Sequence, residues 1–150
     1  MKKIISLFKR NYEGNRQVYN EVVPGAEWVI DGEGKATRKI DGTCCLIKNG
    51  ELFKRYDVKQ GKTPPIGFIP AQEPDPITGH WPGWLPISKE DRYHNEAFHT
   101  MQVNGQVKDG TFELIGPKIN GNPENEGSHF LIEHGIIIFD DCPRNFEELK

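Results

Sequence analysis

Asn49-Gly50 separates two runs of strand-forming residues, Thr43 to Lys48 and Glu51 to Asp57. Both residues of such a pair tolerate positive φ, so the pair closes a two-residue hairpin whose twist matches its strands. An antiparallel hairpin is therefore predicted for this segment. Ala26 to Asp31 and Ala36 to Ile40 read as strands before it. Thr100 to Val107 and Thr111 to Ile115 read as strands after it, punctuated by Asn104-Gly105 and Asp109-Gly110. Gly135 to Asp140 is continuously apolar and predicts a buried strand. Met1 to Arg10 reads as a first strand or short helix, and Ile119-Asn120-Gly121-Asn122-Pro123 as turn chemistry. Thr63 to Pro86, rich in Pro and Gly and carrying Trp81 and Trp84, predicts a long ordered loop. Ser88-Lys89-Glu90-Asp91 resembles a capping box with Asp for the usual Glu, so a short helix is predicted from there to about His99. Pro143 predicts a last helix with Phe146 and Leu149 on one face. Together these give an α+β fold with mostly antiparallel β-sheets in a single domain, residues 1–150.

Charge is unevenly spread. The chain carries a net −3, yet residues 35 to 62 hold eight basic side chains against three acids. A local positive field in an acidic protein suits a phosphate-bearing ligand. No stretch has the length of a transmembrane helix, so no membrane partner is expected. Ile4 to Phe8 is too short for the apolar region of a signal peptide. Cys44, Cys45 and Cys142 form neither a metal spacing nor an even disulfide set, which points to a reduced, cytoplasmic protein. As strand neighbours, Cys44 and Cys45 are expected to face opposite sides of a sheet. Walker-type phosphate loops, G-x-G-x-x-G and H-E-x-x-H are all missing, and the five histidines are scattered.

Between two predicted strands lies Lys39-Ile40-Asp41-Gly42-Thr43. A lysine amine can attack the α-phosphate of a nucleoside triphosphate and hold the nucleotide as a phosphoramidate. That requires the deprotonated amine, favoured by desolvation or by neighbouring cations. Lys39 would stand at a strand end, before a tight turn at Asp41-Gly42.

Lys39, Asp41 and Gly42 match the Lys-x-Asp-Gly motif, and here the chain resembles the covalent nucleotidyltransferases, namely ATP-dependent DNA and RNA ligases and mRNA capping enzymes. More narrowly, it resembles the ATP-dependent 5′-to-3′ RNA ligase family of the RNA ligase 1 type. The narrower likeness rests on Thr37-Arg38-Lys39-Ile40-Asp41-Gly42-Thr43-Cys44-Cys45, Arg55-Tyr56-Asp57-Val58-Lys59 and the loop from Gly79 to Pro86. It rests further on Thr111 to Gly116, on Ile119 to Pro123, and on His134-Gly135. The resemblance implies that Lys39 is the nucleophile that becomes adenylylated and that Asp41 orients it. It also implies that Thr37, Arg38, Lys39, Gly42, Arg55 and Glu113 bind nucleotide. Lys59 and Lys62 would contact phosphate or RNA, and Glu113 would help hold a divalent ion. The implied cofactors are ATP and Mg²⁺ or Mn²⁺, and the implied substrate is RNA with 5′-phosphate and 3′-hydroxyl ends.

Plainer roles fit some of the same residues. Arg55 also suits a pair with Glu51 or Asp57, while Trp81 and Trp84 suit hydrophobic anchors of a loop. The family's later metal-binding strand and its Lys-x-Lys pair have no counterpart in these 150 residues. The expectation is a C-terminally truncated adenylylation domain with weak activity on its own. The alternative is a non-catalytic module that binds nucleotide or RNA ends.

Overall fold

A computed structural model describes residues 1–150. In chain order the elements are β1 (Phe8–Arg10), β2 (Val18–Val22), α1 (Glu27–Ile30), β3 (Ala36–Thr37), β4 (Thr43–Lys48), β5 (Glu51–Val58) and β6 (Ile69–Pro70). There follow β7 (Trp81–Pro86), α2 (Arg92–Val103), β8 (Gly110–Ile115), β9 (Phe130–Glu133), β10 (Ile138–Phe139) and α3 (Phe146–Leu149). The fold is α+β, and every strand pair is antiparallel.

The chain divides into two compact units. The first comprises Met1–Lys2 and Lys39–His134. Its six-stranded sheet has the order β6-β7-β5-β4-β8-β9, with α2 packed on one face. Ala97, Phe98 and Met101 of α2 bury against Cys45, Ile47, Leu52, Phe112, Leu114 and Ile119. Burying a large apolar side chain contributes about 1.5–3 kcal/mol, so this cluster anchors the unit. The second unit comprises Lys3–Arg38 and Gly135–Lys150, with the two-stranded pairs β1-β2 and β10-β3. Phe146 of α3 meets Phe8 edge-on at 5.1 Å. The side chain of Asn145 caps α3 by accepting from the Glu148 N–H at 3.0 Å.

The Asn49-Gly50 hairpin forms as read, with φ of 52° and 77°, and Cys45 to Lys48 face Lys54 to Glu51. Five other segments differ from the sequence reading. Ala26 to Asp31 holds the short helix α1, not a strand. The Asp31 N–H bonds back to the Glu27 carbonyl at 3.0 Å, and the Glu27 carboxylate accepts from the Gly25 N–H. The Thr63 to Pro86 segment is not all loop, because Trp81-Pro82-Gly83-Trp84-Leu85-Pro86 forms β7. Two prolines are tolerated there because the outer neighbour, β6, is only two residues long and asks for few N–H donors. Gly83 is needed at this crossing, since a Cβ there would lie 2.3 Å from the Phe68 ring and 2.5 Å from the Ile69 carbonyl oxygen.

Thr100 to Val103 continues α2, so no strand starts at Thr100. The buried Ala97, Phe98 and Met101 follow helical spacing, which outweighs the weak strand preference of this stretch. The helix stops in a Schellman turn: Gly105 has φ 64°, its N–H bonds to the Gln102 carbonyl, and the Gln106 N–H bonds to the Met101 carbonyl. Ser88 does not cap α2 either. The helix begins after Asp91, whose carboxylate accepts from the Ser88 N–H at 2.8 Å. Finally, the apolar run after Gly135 is not a buried strand. Only Ile138 and Phe139 pair, with β3, and Ile136 to Phe139 are 38–57% exposed. An unbroken apolar run lacks the alternation that fixes which face is buried.

His94 of α2 carries a pH prediction. Burial holds its imidazole below the usual histidine range, Lys54 adds to that, and Asp91 opposes it. Its Nε2 is buried without a hydrogen-bond partner. With the folded pKa depressed, the unfolded chain takes up the proton first as pH falls. The neutral ring's contribution is present above about pH 6.5 and lost below it. Urea midpoints are expected to fall between about pH 7 and about pH 5, and His94→Gln is expected to flatten that slope.

Candidate active site

Strand alternation sorts the side chains of the first unit onto two faces. Cys45 is fully buried toward α2, whereas Cys44 pairs in register with Glu113 on the opposite face, as adjacent strand positions require. In the same way, Phe112 and Leu114 enter the core while Glu113 points away from it. Arg55 lies on this second face, its guanidinium 4.5 Å from the centre of the Trp84 ring. It stacks on Trp84 and donates to the Met1 carbonyl at 3.0 Å. His134 follows β9 and places Nε2 2.7 Å from Glu113 Oε2.

Over this face runs the turn that follows Lys39. Ile40 is buried and anchors the segment, leaving Lys39 and Asp41 exposed on either side. Three side chains hold the backbone of the turn. The Gly42 N–H donates to Glu113 Oε1 at 3.2 Å. Asn120 Nδ2 donates to the Gly42 carbonyl at 2.7 Å, and the Asp41 N–H donates to Glu124 Oε1 at 2.9 Å. A side chain at Gly42 has no room, because its Cβ would lie 2.1 Å from the Leu114 carbonyl oxygen.

Asn120 and Glu124 were not singled out as site residues from the sequence. The Asn-Gly-Asn-Pro run was legible as a turn, but its hold on Gly42 was not. Asn120, Gly121 and Asn122 all adopt positive φ, at 49°, 77° and 60°. The Asn122 side chain bonds the Glu126 backbone twice, and buried Ile119 pins the loop from below. The loop is thereby shaped to deliver Asn120 and Glu124 to the turn.

The other expected site residues fall into two groups. Arg55, Lys59 and Lys62 line one open cleft of about 590 Å³, together with Tyr56 and Asp57. Thr37 and Arg38 belong to the second unit, where Thr37 pairs with Ile138 and the Arg38 N–H donates to the Ile137 carbonyl. Trp84 is buried, and Trp81 Nε1 donates to the Gln72 carbonyl at 2.8 Å. Both tryptophans are structural anchors.

Electrostatics follow the packing. Burial, then the Glu113 carboxylate, pushes the Cys44 thiol up to about 11, with Arg55 and the chain's amino group opposing. The Met1 amine is held below its usual range by burial and by Arg55. His129 is buried elsewhere in the unit and is a structural histidine. It stacks on Tyr93 at 4.4 Å, faces Glu96 through Nδ1 at 3.1 Å, and accepts the Lys118 N–H at Nε2.

No protein-family model matches the chain. Among curated proteins it is similar to RNA ligase 1 of Rattus norvegicus and of Mus musculus, each 28% identical over 72% of this chain. RNA ligase 1 of Danio rerio is 25% identical over the same share. The chain is related to the RNA ligases. It spans about half the length of the curated relatives it matches, covering 54% of each. No helix of this RNA ligase relative is long and apolar enough to cross a membrane.

Proposed function

We propose that this chain is the nucleotide-transfer part of an ATP-dependent RNA ligase. In this reading Lys39 takes AMP from ATP and releases pyrophosphate. AMP then passes to a 5′-phosphate RNA end, and a 3′-hydroxyl displaces it to seal the strand. The supporting observation is the Lys-x-Asp-Gly turn itself, held over a polar sheet face by Glu113, Asn120 and Glu124. A turn fixed at three backbone points keeps its lysine in one place relative to the sheet, which is what in-line attack on a phosphate requires. Arg55, Lys59 and Lys62 supply a cationic cleft suited to phosphates.

Magnesium would be held near the nucleophile turn by the carboxylate of Asp41 and that of Glu124, whose Oε1 accepts the Asp41 backbone N–H. Magnesium favours one or two carboxylates together with substrate phosphates and retained waters. Glu113 would position the turn through Oε1, which accepts the Gly42 N–H, while Oε2 stands beside His134. When bound, the ion would offset phosphate charge.

Intact-mass spectrometry of the chain before and after ATP with Mg²⁺ tests this reading. A slow gain of one AMP is expected, because no Lys-x-Lys pair is available in these residues to grip the triphosphate. That gain should vanish in Lys39→Ala. Labelling that persists in Lys39→Ala would sink the nucleophile assignment, and fast, complete labelling would refute the expected weakness. ATP binding with no mass gain favours the second reading, a module that binds nucleotide or RNA ends without transfer, for which the same lack of Lys-x-Lys is the motive.

A further inference from the structure

Three side chains of different donor chemistry converge on the polar face of the first unit's sheet. The Cys44 thiol, a Glu113 carboxylate oxygen and a His134 ring nitrogen all lie within 4.8 Å of one another. Strand pairing fixes this. Cys44 sits opposite Glu113 across β4 and β8, and Glu113 sits opposite Ile132 across β8 and β9. His134 is two residues beyond Ile132 on the same face, and its N–H donates to the Thr111 carbonyl at 3.1 Å. None of the three is freely solvated: Cys44 is half-buried, and the side chains of Glu113 and His134 are 13% and 24% exposed.

A thiol with an imidazole is a poor donor set for magnesium, which takes oxygen ligands, and a good one for a borderline-soft divalent ion. We propose that Cys44, Glu113 and His134 form a three-ligand zinc site with its fourth position open. Zinc bonds of about 2.3 Å to sulfur and 2.0–2.2 Å to nitrogen and oxygen place tetrahedral ligand atoms roughly 3.3–3.6 Å apart. Binding therefore draws the sulfur inward by at most about 1 Å and parts His134 from Glu113, whose 2.7 Å hydrogen bond it replaces. The Cys44 proton is released to solvent as the thiolate coordinates. Glu113 keeps Oε1 on the Gly42 N–H while Oε2 turns to the ion, so the site is coupled directly to the turn that follows Lys39.

His134 Nδ1 is buried without a hydrogen-bond partner, whereas tightly held zinc histidines are braced there by a carboxylate or carbonyl. Together with the open position, this marks an exchangeable site more than a structural one. Lys39 is not a ligand, and the inference does not depend on AMP transfer.

Cobalt(II) titration of the chelator-free chain, followed by absorption, provides the test. A thiolate-to-cobalt charge-transfer band in the near ultraviolet is expected, bleached by added zinc and unchanged in Lys39→Ala and Cys142→Ser. Cys44→Ser should lose the band, and His134→Ala should weaken cobalt binding by at least about tenfold. No charge-transfer band in the unsubstituted chain would overturn the proposal without reference to any variant's folding. A band that survives Cys44→Ser would overturn it as well.

Discussion

Gly42→Ala is expected to cost about 3 kcal/mol of stability, at the upper end of the range for overpacking, and to stop AMP transfer even in the folded fraction. The added methyl would lie 2.1 Å from the Leu114 carbonyl oxygen and 2.9 Å from Ile115 Cγ2. The first of these is backbone in a central strand of the sheet, so it cannot yield as a flexible side-chain tip would. Relief must come from lifting the turn, which breaks the 3.2 Å bond from the Gly42 N–H to Glu113 and the 2.7 Å bond from Asn120 to the Gly42 carbonyl. Lys39 is three residues away and moves with it. Urea denaturation and intact-mass labelling of this variant are the measurements. A variant with unchanged stability and normal labelling would mean that the close approach of the turn to β8 does not exist in solution.

The same turn shows how far the sequence could be read. Lys-x-Asp-Gly, the Asn49-Gly50 hairpin and the opposite facing of Cys44 and Cys45 follow from local rules, and the structure carries the last two as read. The hold of Asn120 and Glu124 on the turn spans 78 and 83 residues, and no local pattern reports such a distance. Errors arose where tertiary pairing outweighed local preference. Trp81 to Pro86 looked like loop because of its prolines, yet β5 on one side and two residues of β6 on the other make it a strand. Gly135 to Asp140 looked like core because it is apolar, yet only two of its residues find a partner strand. Arg55 had several acidic neighbours in sequence, and its stacking partner Trp84 comes from a strand 29 residues on.

Glu113 and Leu114 allow fold and chemistry to be separated on one strand. Leu114 is fully buried in the α2 cluster, so Leu114→Ala leaves a cavity and should cost about 2–5 kcal/mol, read as a lower urea midpoint. The turn contacts are made by Glu113, so the folded remainder of that variant should still label at Lys39. Glu113→Ala has the opposite signature. It removes no core volume, but it frees both the Gly42 N–H and His134 Nε2. Losing two hydrogen bonds to one carboxyl group at a half-buried position should cost about 1–3 kcal/mol, while labelling falls far more than the unfolded fraction explains. Glu113→Gln sharpens the contrast, since an amide oxygen can still accept from Gly42. If Gln restores labelling and Ala does not, the acceptor at Gly42 is what transfer needs. If neither labels, the carboxylate charge is required, and its hold on His134 or on the nucleotide matters more than its hold on the turn.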